Sequence, residues 1–233
     1  MTFSAPTLDL DRFDLTAAIV DLDGTMVDTL GDFVIVLNRV LDALALARVD
    51  RGFVEHTVGK GSEHLIRQTL RHVGADAALY EQAWTLYQQH YVAVNGQHAA
   101  VYPGVVAGLT QLRAHGLRLA CLTNKPTAFA RPLLSLKGLD GFFEVVFGGD
   151  SFDRKKPDPL PLLGTCAALG SVPRQTLMIG DSSNDARAAR AAGCPVLLVS
   201  YGYNHGEPVG EVDADGVVDR LDALRLRRAG RPR

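Results

Sequence analysis

The sequence predicts an α/β protein, a doubly wound parallel sheet carrying a small inserted α-helical domain. Three observations lead there. Five short apolar runs are nearly continuous rather than alternating, as strands covered on both faces must be. Helix-length stretches separate the later runs, and each ends on a glycine. A long segment after the first run has helical periodicity throughout and no convincing strand.

Along the chain, the strands are expected at 17–20, 117–122, 144–147, 176–179 and 195–199, each rich in Val, Ile or Leu. The helices between them are expected at 105–115, 127–137, 159–169 and 185–192, stopped by Gly116, Gly138, Gly170 and Gly193. Strand, helix and strand repeated in this way give a Rossmann-like layer. In the intervening segment, Phe33, Leu37, Val40, Leu41 and Leu44 recur at helical spacing. Leu65, Ile66 and Leu70 follow, then Leu79, Trp84, Leu86, Tyr87 and Tyr91. Gly59-Lys60-Gly61 and Gly74-Ala75-Asp76 supply the turns, and Tyr102-Pro103-Gly104 marks the return to the sheet. The expected organisation is therefore a core built from residues 1–26 and 103–233, with a helical domain at 27–102.

A chain of 233 residues suits one main domain with a smaller insert. Apolar residues make up 47% and charged residues 21%, which is globular composition. A net charge of -2 argues against a dedicated nucleic-acid binder. No apolar run approaches the roughly 20 residues that cross a bilayer. The first residues set Asp9, Asp11 and Asp14 around Arg12 and do not read as a signal peptide. Cys121, Cys166 and Cys194 have no C-x-x-C spacing and are read as reduced packing residues in a cytoplasmic protein. The arginines at 225, 227, 228, 231 and 233 are read as a solvated end rather than a partner patch. A monomer or small homo-oligomer is expected.

The chemistry concentrates where the apolar runs stop. The first runs into Asp21-Leu22-Asp23-Gly24-Thr25. Ligands bind at the carboxyl edge of an open parallel sheet, and an acid ending a buried strand requires a cation or a partner. Thr176–Ile179 leads likewise into Gly180-Asp181-Ser182-Ser183-Asn184-Asp185. If the two strands are adjacent, Asp21 and Asp181 meet, and clustered carboxylates without histidine or cysteine suit a hard cation such as magnesium. Asp185 is read either as a further ligand or as the cap of the helix that it opens. Thr123-Asn124-Lys125 follows the second run and offers a hydroxyl and main-chain N–H groups to phosphate oxygens. Lys156, before Pro157, offers a positive charge to a phosphoryl group.

These four pieces in this order resemble the haloacid dehalogenase-like superfamily: DLDGT at Asp21, the threonine at Thr123, the lysine at Lys156, and GDSSND from Gly180 to Asp185. The likeness spans almost the whole chain, and the insert resembles the family's small helical cap. Three longer stretches, GLRLACLTNKPTAFARPLLSLKGL, FGGDSFDRKKPDPLPLL and AARAAGCPVLLVSYGYNHG, resemble the bacterial phosphoglycolate phosphatases within it. The resemblance implies a magnesium-dependent phosphomonoester hydrolase, with Asp21 as nucleophile and Asp23 as acid and then base. It also implies metal binding by Asp21, Asp23, Asp181 and Asp185, and phosphate binding by Thr123, Asn124 and Lys156. Lys60, in the glycine turn of the cap, is expected to meet a substrate carboxylate, with Arg67 as a second candidate. Phosphoglycolate is the expected substrate. The rival readings are a phosphosugar mutase resembling β-phosphoglucomutase, a pyrophosphatase or nucleotidase of the same superfamily, and a non-catalytic binding module. The presence of both Asp21 and Asp23 speaks against the last.

Overall fold

The computed structural model describes residues 13–224. Asp9, Asp11 and Arg12 at the start and the arginine-rich end from 225 lie outside the described residues. In chain order the strands are β1 (Ala17–Val20), β2 (Val27–Asp28), β3 (Ala100–Val101), β4 (Arg118–Leu122), β5 (Val145–Phe147), β6 (Thr176–Gly180), β7 (Val196–Val199) and β8 (Gly216–Val218). The helices are α1 (Leu30–Ala43), α2 (Arg51–Thr57), α3 (Ser62–His72), α4 (Tyr80–Val94), α5 (Val105–Ala114), α6 (Thr127–Leu136), α7 (Leu160–Ala168) and α8 (Ser183–Ala192).

Six strands form one parallel sheet in the order β5-β4-β1-β6-β7-β8. β1 is fully buried because all four of its residues are apolar and both edges are paired, Ala17 standing opposite Arg118 of β4 and Thr176 of β6. Its side chains alternate between two layers, as the strand period requires. Ala18 and Val20 join the cluster containing Val105, Leu109 and Leu112 of α5 and Leu133 of α6. Ala17 and Ile19 join Leu162 and Cys166 of α7 with Ala186 and Ala189 of α8. The chain places β4 on one side of β1 and β6 on the other, so the strand order reverses at β1 and a crevice opens above its carboxyl end.

The four expected core helices are present, and each of their stop glycines has the left-handed φ that such an ending needs. All three cysteines are buried and free. No helix among the described residues is long and apolar enough to cross a membrane.

Two features depart from the sequence reading. β8 adds a sixth strand at the sheet edge, three residues containing a glycine and too short to carry a signal of its own. The segment 27–102 also begins and ends in a strand: β2 and β3 pair antiparallel, Val27 opposite Val101 and Asp28 opposite Ala100. The chain entering the helical insert is thus tied to the chain leaving it. Two-residue strands are shorter than any period that sequence can display.

Helices α1 to α4 pack round a core of their own, which includes Phe33, Leu37, Leu41, Leu65, Tyr87 and Tyr91. Tyr80, Trp84, Tyr87 and Tyr91 recur at spacings of four, three and four along α4, and so stack on one face with ring centroids 6.3, 6.4 and 5.2 Å apart. Phe129 of α6 and Tyr203 beyond β7 extend this core into the sheet layer. Tyr91 meets Phe129 edge to face at 4.7 Å.

Candidate active site

The carboxyl ends of β1, β4 and β6 bring together nearly all the polar residues that the sequence singled out. Asp21 and Asp23 follow β1 and are each 9% exposed. Thr123 and Asn124 follow β4, Lys156 follows β5, and Asp181 and Asp185 follow β6; all five are buried. One carboxylate oxygen from each of Asp21, Asp181 and Asp185 lies within 4.8 Å of the others.

So many acids in one buried place repel unless a cation intervenes. Burial pushes the Asp21 carboxyl from its ordinary 3.8 up to about 7; Lys156 pulls it down and Asp185 pushes it further up. Asp181 is raised well above its ordinary range, first by burial and then by Asp185 and Asp21. Lys156 answers part of this charge. Its Nζ donates to Asp185 Oδ1 at 2.7 Å and to the Leu122 carbonyl at 3.0 Å, and lies 3.0 Å from Asp21 Oδ1. Burial lowers the lysine, but the Asp185 and Asp21 carboxylates outweigh it and hold the ammonium above its ordinary value. Asp21 Oδ1 is buried and, though 3.0 Å from that ammonium, has no hydrogen-bond partner among the described residues. An all-oxygen donor set with an unsatisfied oxygen fits a hard divalent cation.

Of the two sequence readings of Asp185, the structure displays the helix cap. Its Oδ2 accepts from the N–H groups of Asp181 and Ser182 and from the Ser182 hydroxyl, closing the first turn of α8, while Oδ1 turns to Lys156. Asp181 is fixed from two sides that the sequence did not reveal. Thr25 donates its hydroxyl to Oδ1 at 3.0 Å, and the Tyr203 N–H donates to Oδ2 at 2.7 Å. Gly24 makes this approach possible, since a Cβ there would stand 2.4 Å from Asp181 Oδ2.

On the opposite side, Thr123 Oγ1 accepts from the Lys125 N–H at 3.2 Å, which leaves the hydroxyl proton for another acceptor. The Asn124 side chain accepts from the Lys156 N–H at 3.0 Å and donates to the Lys156 carbonyl at 2.9 Å. The Lys156–Pro157 peptide is cis. Asp23 is paired with Lys125, whose Nζ lies 3.0 Å from Asp23 Oδ1 and 2.5 Å from the Tyr91 hydroxyl of α4. Lys125 was visible in the Thr-Asn-Lys triplet, but its partner Tyr91 lies 34 residues away on the helical insert.

A cleft lies between the sheet edge and the insert, lined by Asp21, Asp23, Thr123, Asn124 and Lys125 below and by Phe33, Val58, Gly59, Gly61, Ser62 and Leu65 above. Lys60 is not brought into it. Its flanking glycines line the cleft, but the lysine is exposed and faces an adjoining hollow with Ser183, Arg187 and His205. Arg67 stacks on the Tyr80 ring at 3.6 Å. Asp28, at the entry to α1, accepts from the Leu30 N–H at 3.1 Å and from the Tyr203 hydroxyl at 2.5 Å.

The family model described as haloacid dehalogenase-like hydrolase matches residues 18–199. A phosphoglycolate phosphatase of Thiobacillus denitrificans is 41% identical over 210 residues, covering 89% of this chain and 92% of its own length. A plasmid-borne phosphoglycolate phosphatase of Cupriavidus necator is 44% identical over 210 residues, covering 90% of this chain and 91% of its own. The crystal structure of a predicted phosphoglycolate phosphatase from Haemophilus somnus superimposes with a TM-score of 0.85 at 30% identity, covering 90% of this chain and 96% of that one.

Proposed function

The chain belongs to the haloacid dehalogenase-like hydrolases, and on that premise we propose that it hydrolyses 2-phosphoglycolate to glycolate and phosphate through an aspartyl phosphate on Asp21. The observation that carries the reading is the pairing of roles at one strand end: Asp21 faces the acidic group and Lys156, while Asp23, two residues on, faces the cleft and Lys125. The names of the relatives at 41% and 44% identity support hydrolysis of this ester over transfer to a second sugar.

An Asp21 carboxylate oxygen attacks phosphorus in line, and the bond from phosphorus to the ester oxygen breaks. Asp23 gives its proton to the departing alkoxide. Water then attacks the phosphorus of the aspartyl phosphate while Asp23 takes up its proton, which frees Asp21 and inorganic phosphate. Thr123, the N–H of Asn124 and Lys156 hold the equatorial oxygens, where charge must be stabilised as the bonds exchange. The residues suited to hold magnesium are Asp21 and Asp181 through their carboxylates and Asp23 through its main-chain carbonyl, with Asp185 in support. When bound, the ion supplies positive charge beside the phosphoryl oxygens and keeps Asp21 ionised.

The helical domain at 27–102 acts as a cap that keeps water from the first step, moving about the paired linkers β2 and β3. The test is phosphate release with magnesium from 2-phosphoglycolate, β-glucose 1-phosphate, pyrophosphate and a nucleoside monophosphate. Preference for phosphoglycolate, lost in Asp21→Asn, is expected. Preference for another ester would retain the nucleophile and remove the substrate assignment.

A further inference from the structure

Two ammonium groups are buried at the cleft, and they are committed differently. Lys156 donates to Asp185 and the Leu122 carbonyl and lies 3.0 Å from Asp21 Oδ1, on the side of the acidic group. Lys125 reaches Asp23 and the Tyr91 hydroxyl, and among the described residues its third donor has no hydrogen-bond partner. Its side chain is only 2% exposed, yet it lines the cleft, with the faces of Phe33 and Tyr91 at 4.5 and 4.7 Å. An ammonium with a spare donor in so dry a place is set to receive an anion.

We infer that Lys125, and not Lys60, receives the carboxylate of the leaving group and thereby sets the preference for a short anionic ester. The inference rests on the phosphoglycolate reading. In that substrate the carboxylate carbon is two bonds from the ester oxygen, the atom that Asp23 serves. An ammonium 3.0 Å from Asp23 is therefore within reach of the carboxylate when the ester oxygen meets Asp23. Lys60 is on the far side of the Gly59–Gly61 turn, in the adjoining hollow. Because Tyr91 belongs to α4, the anion site is completed by the helical cap, so leaving-group selection and cap position depend on the same ammonium.

The test compares kcat/KM for 2-phosphoglycolate and for 2-hydroxyethyl phosphate, which has a hydroxymethyl group in place of the carboxylate, in wild type, Lys125→Met and Lys60→Met. Lys125→Met is expected to lose about 10²-fold more activity on phosphoglycolate than on the neutral ester, the scale for removing one partner of a desolvated charge pair. Lys60→Met is expected to show a much smaller contrast. Equal losses on both esters in Lys125→Met would overturn the inference, leaving the lysine as a prop for Asp23 and Tyr91. So would a contrast that appears in Lys60→Met instead. A wild-type enzyme inactive on phosphoglycolate would remove the substrate reading and this inference with it, an outcome distinct from the other two. Should Lys125→Met fail to fold by circular dichroism, Lys125→Arg is expected to keep the preference and Lys125→Gln to lose it; retention by both would overturn the inference.

Discussion

The side-chain amide of Asn124 donates to the carbonyl of Gly59, 3.0 Å away and 65 residues earlier in the chain. The same side chain brackets the backbone of Lys156 on both sides. One residue of the sheet edge therefore holds the lysine that faces Asp21 and the turn by which the cap reaches the cleft.

Asn124→Ala removes all three contacts and leaves buried backbone groups without partners. Each such group costs about 1–3 kcal/mol. The melting temperature is expected to fall by several degrees, at roughly 2–4 °C per kcal/mol for a chain of this length. The kcat should fall by about 10-fold or more as Lys156 loosens, since small displacements of a positioning group are costly. A lowered melting temperature with kcat intact would show that the cleft holds Lys156 without this amide.

Thr25→Val keeps the shape of the side chain and deletes the hydroxyl that donates to Asp181 Oδ1. Loss of a partner that orients a metal ligand weakens metal binding by about 10–100-fold. Half-saturation by magnesium, measured as activity against magnesium concentration, is expected to rise by that factor while kcat at saturating metal changes little. A magnesium response identical to wild type would exclude Asp181 as a ligand oriented by Thr25.

Gly24→Ala is expected to be poorly tolerated for two independent reasons. Gly24 has φ of 82°, and an added Cβ would stand 2.4 Å from Asp181 Oδ2 and 2.9 Å from the Tyr203 ring. The backbone strain alone costs of order 1–3 kcal/mol. Thermal unfolding should register it, and magnesium affinity should fall because Asp181 must move. Wild-type values for both would show that the loop can shift away at no cost.

The raised acids make the metal's effect on stability depend on pH. Between its ordinary 3.8 and about 7, folded metal-free protein keeps a proton on Asp21 that the unfolded chain has released, so this group's contribution to stability falls as pH rises through that window. Asp181 acts in the same sense. His205 acts in the opposite sense: burial lowers it to about 4, so below its ordinary 6.5 the unfolded chain binds the extra proton, and its contribution grows as pH rises from 4 towards 6.5. Magnesium competes with protons on the carboxylates and not on the imidazole. Its increment in melting temperature is therefore expected to be larger at about pH 8 than at about pH 5.5. An increment independent of pH would mean that the ion does not engage these acids.

What the sequence made legible was local. The buried runs at β1, β4 and β6 each end in a polar motif, and parallel pairing alone brings those ends together, so Asp21, Thr123 and Asp181 could be grouped without coordinates. Lys125 and Tyr91 could not, because their meeting depends on how α4 lies over the sheet, and nothing in Thr-Asn-Lys points to a helix 34 residues back. Thr25 and Tyr203 were hidden for the same reason, since their contacts with Asp181 span 156 and 22 residues. Lys60 shows the limit of placement by motif: the glycine turn does border the cleft, but the direction of its one long side chain was not encoded in the spacing.

The aromatic stack of α4 also gives the protein an optical reporter of its own. Trp84 is the sole tryptophan of the chain, half-buried between Tyr80 and Tyr87 in a run of rings that ends at the Lys125 ammonium. Its emission should be sensitive to the packing of that run, with no label and no competing indole signal. Mixing the enzyme with glycolate or phosphate while following this emission would time the movement of the helices separately from the making and breaking of phosphorus–oxygen bonds.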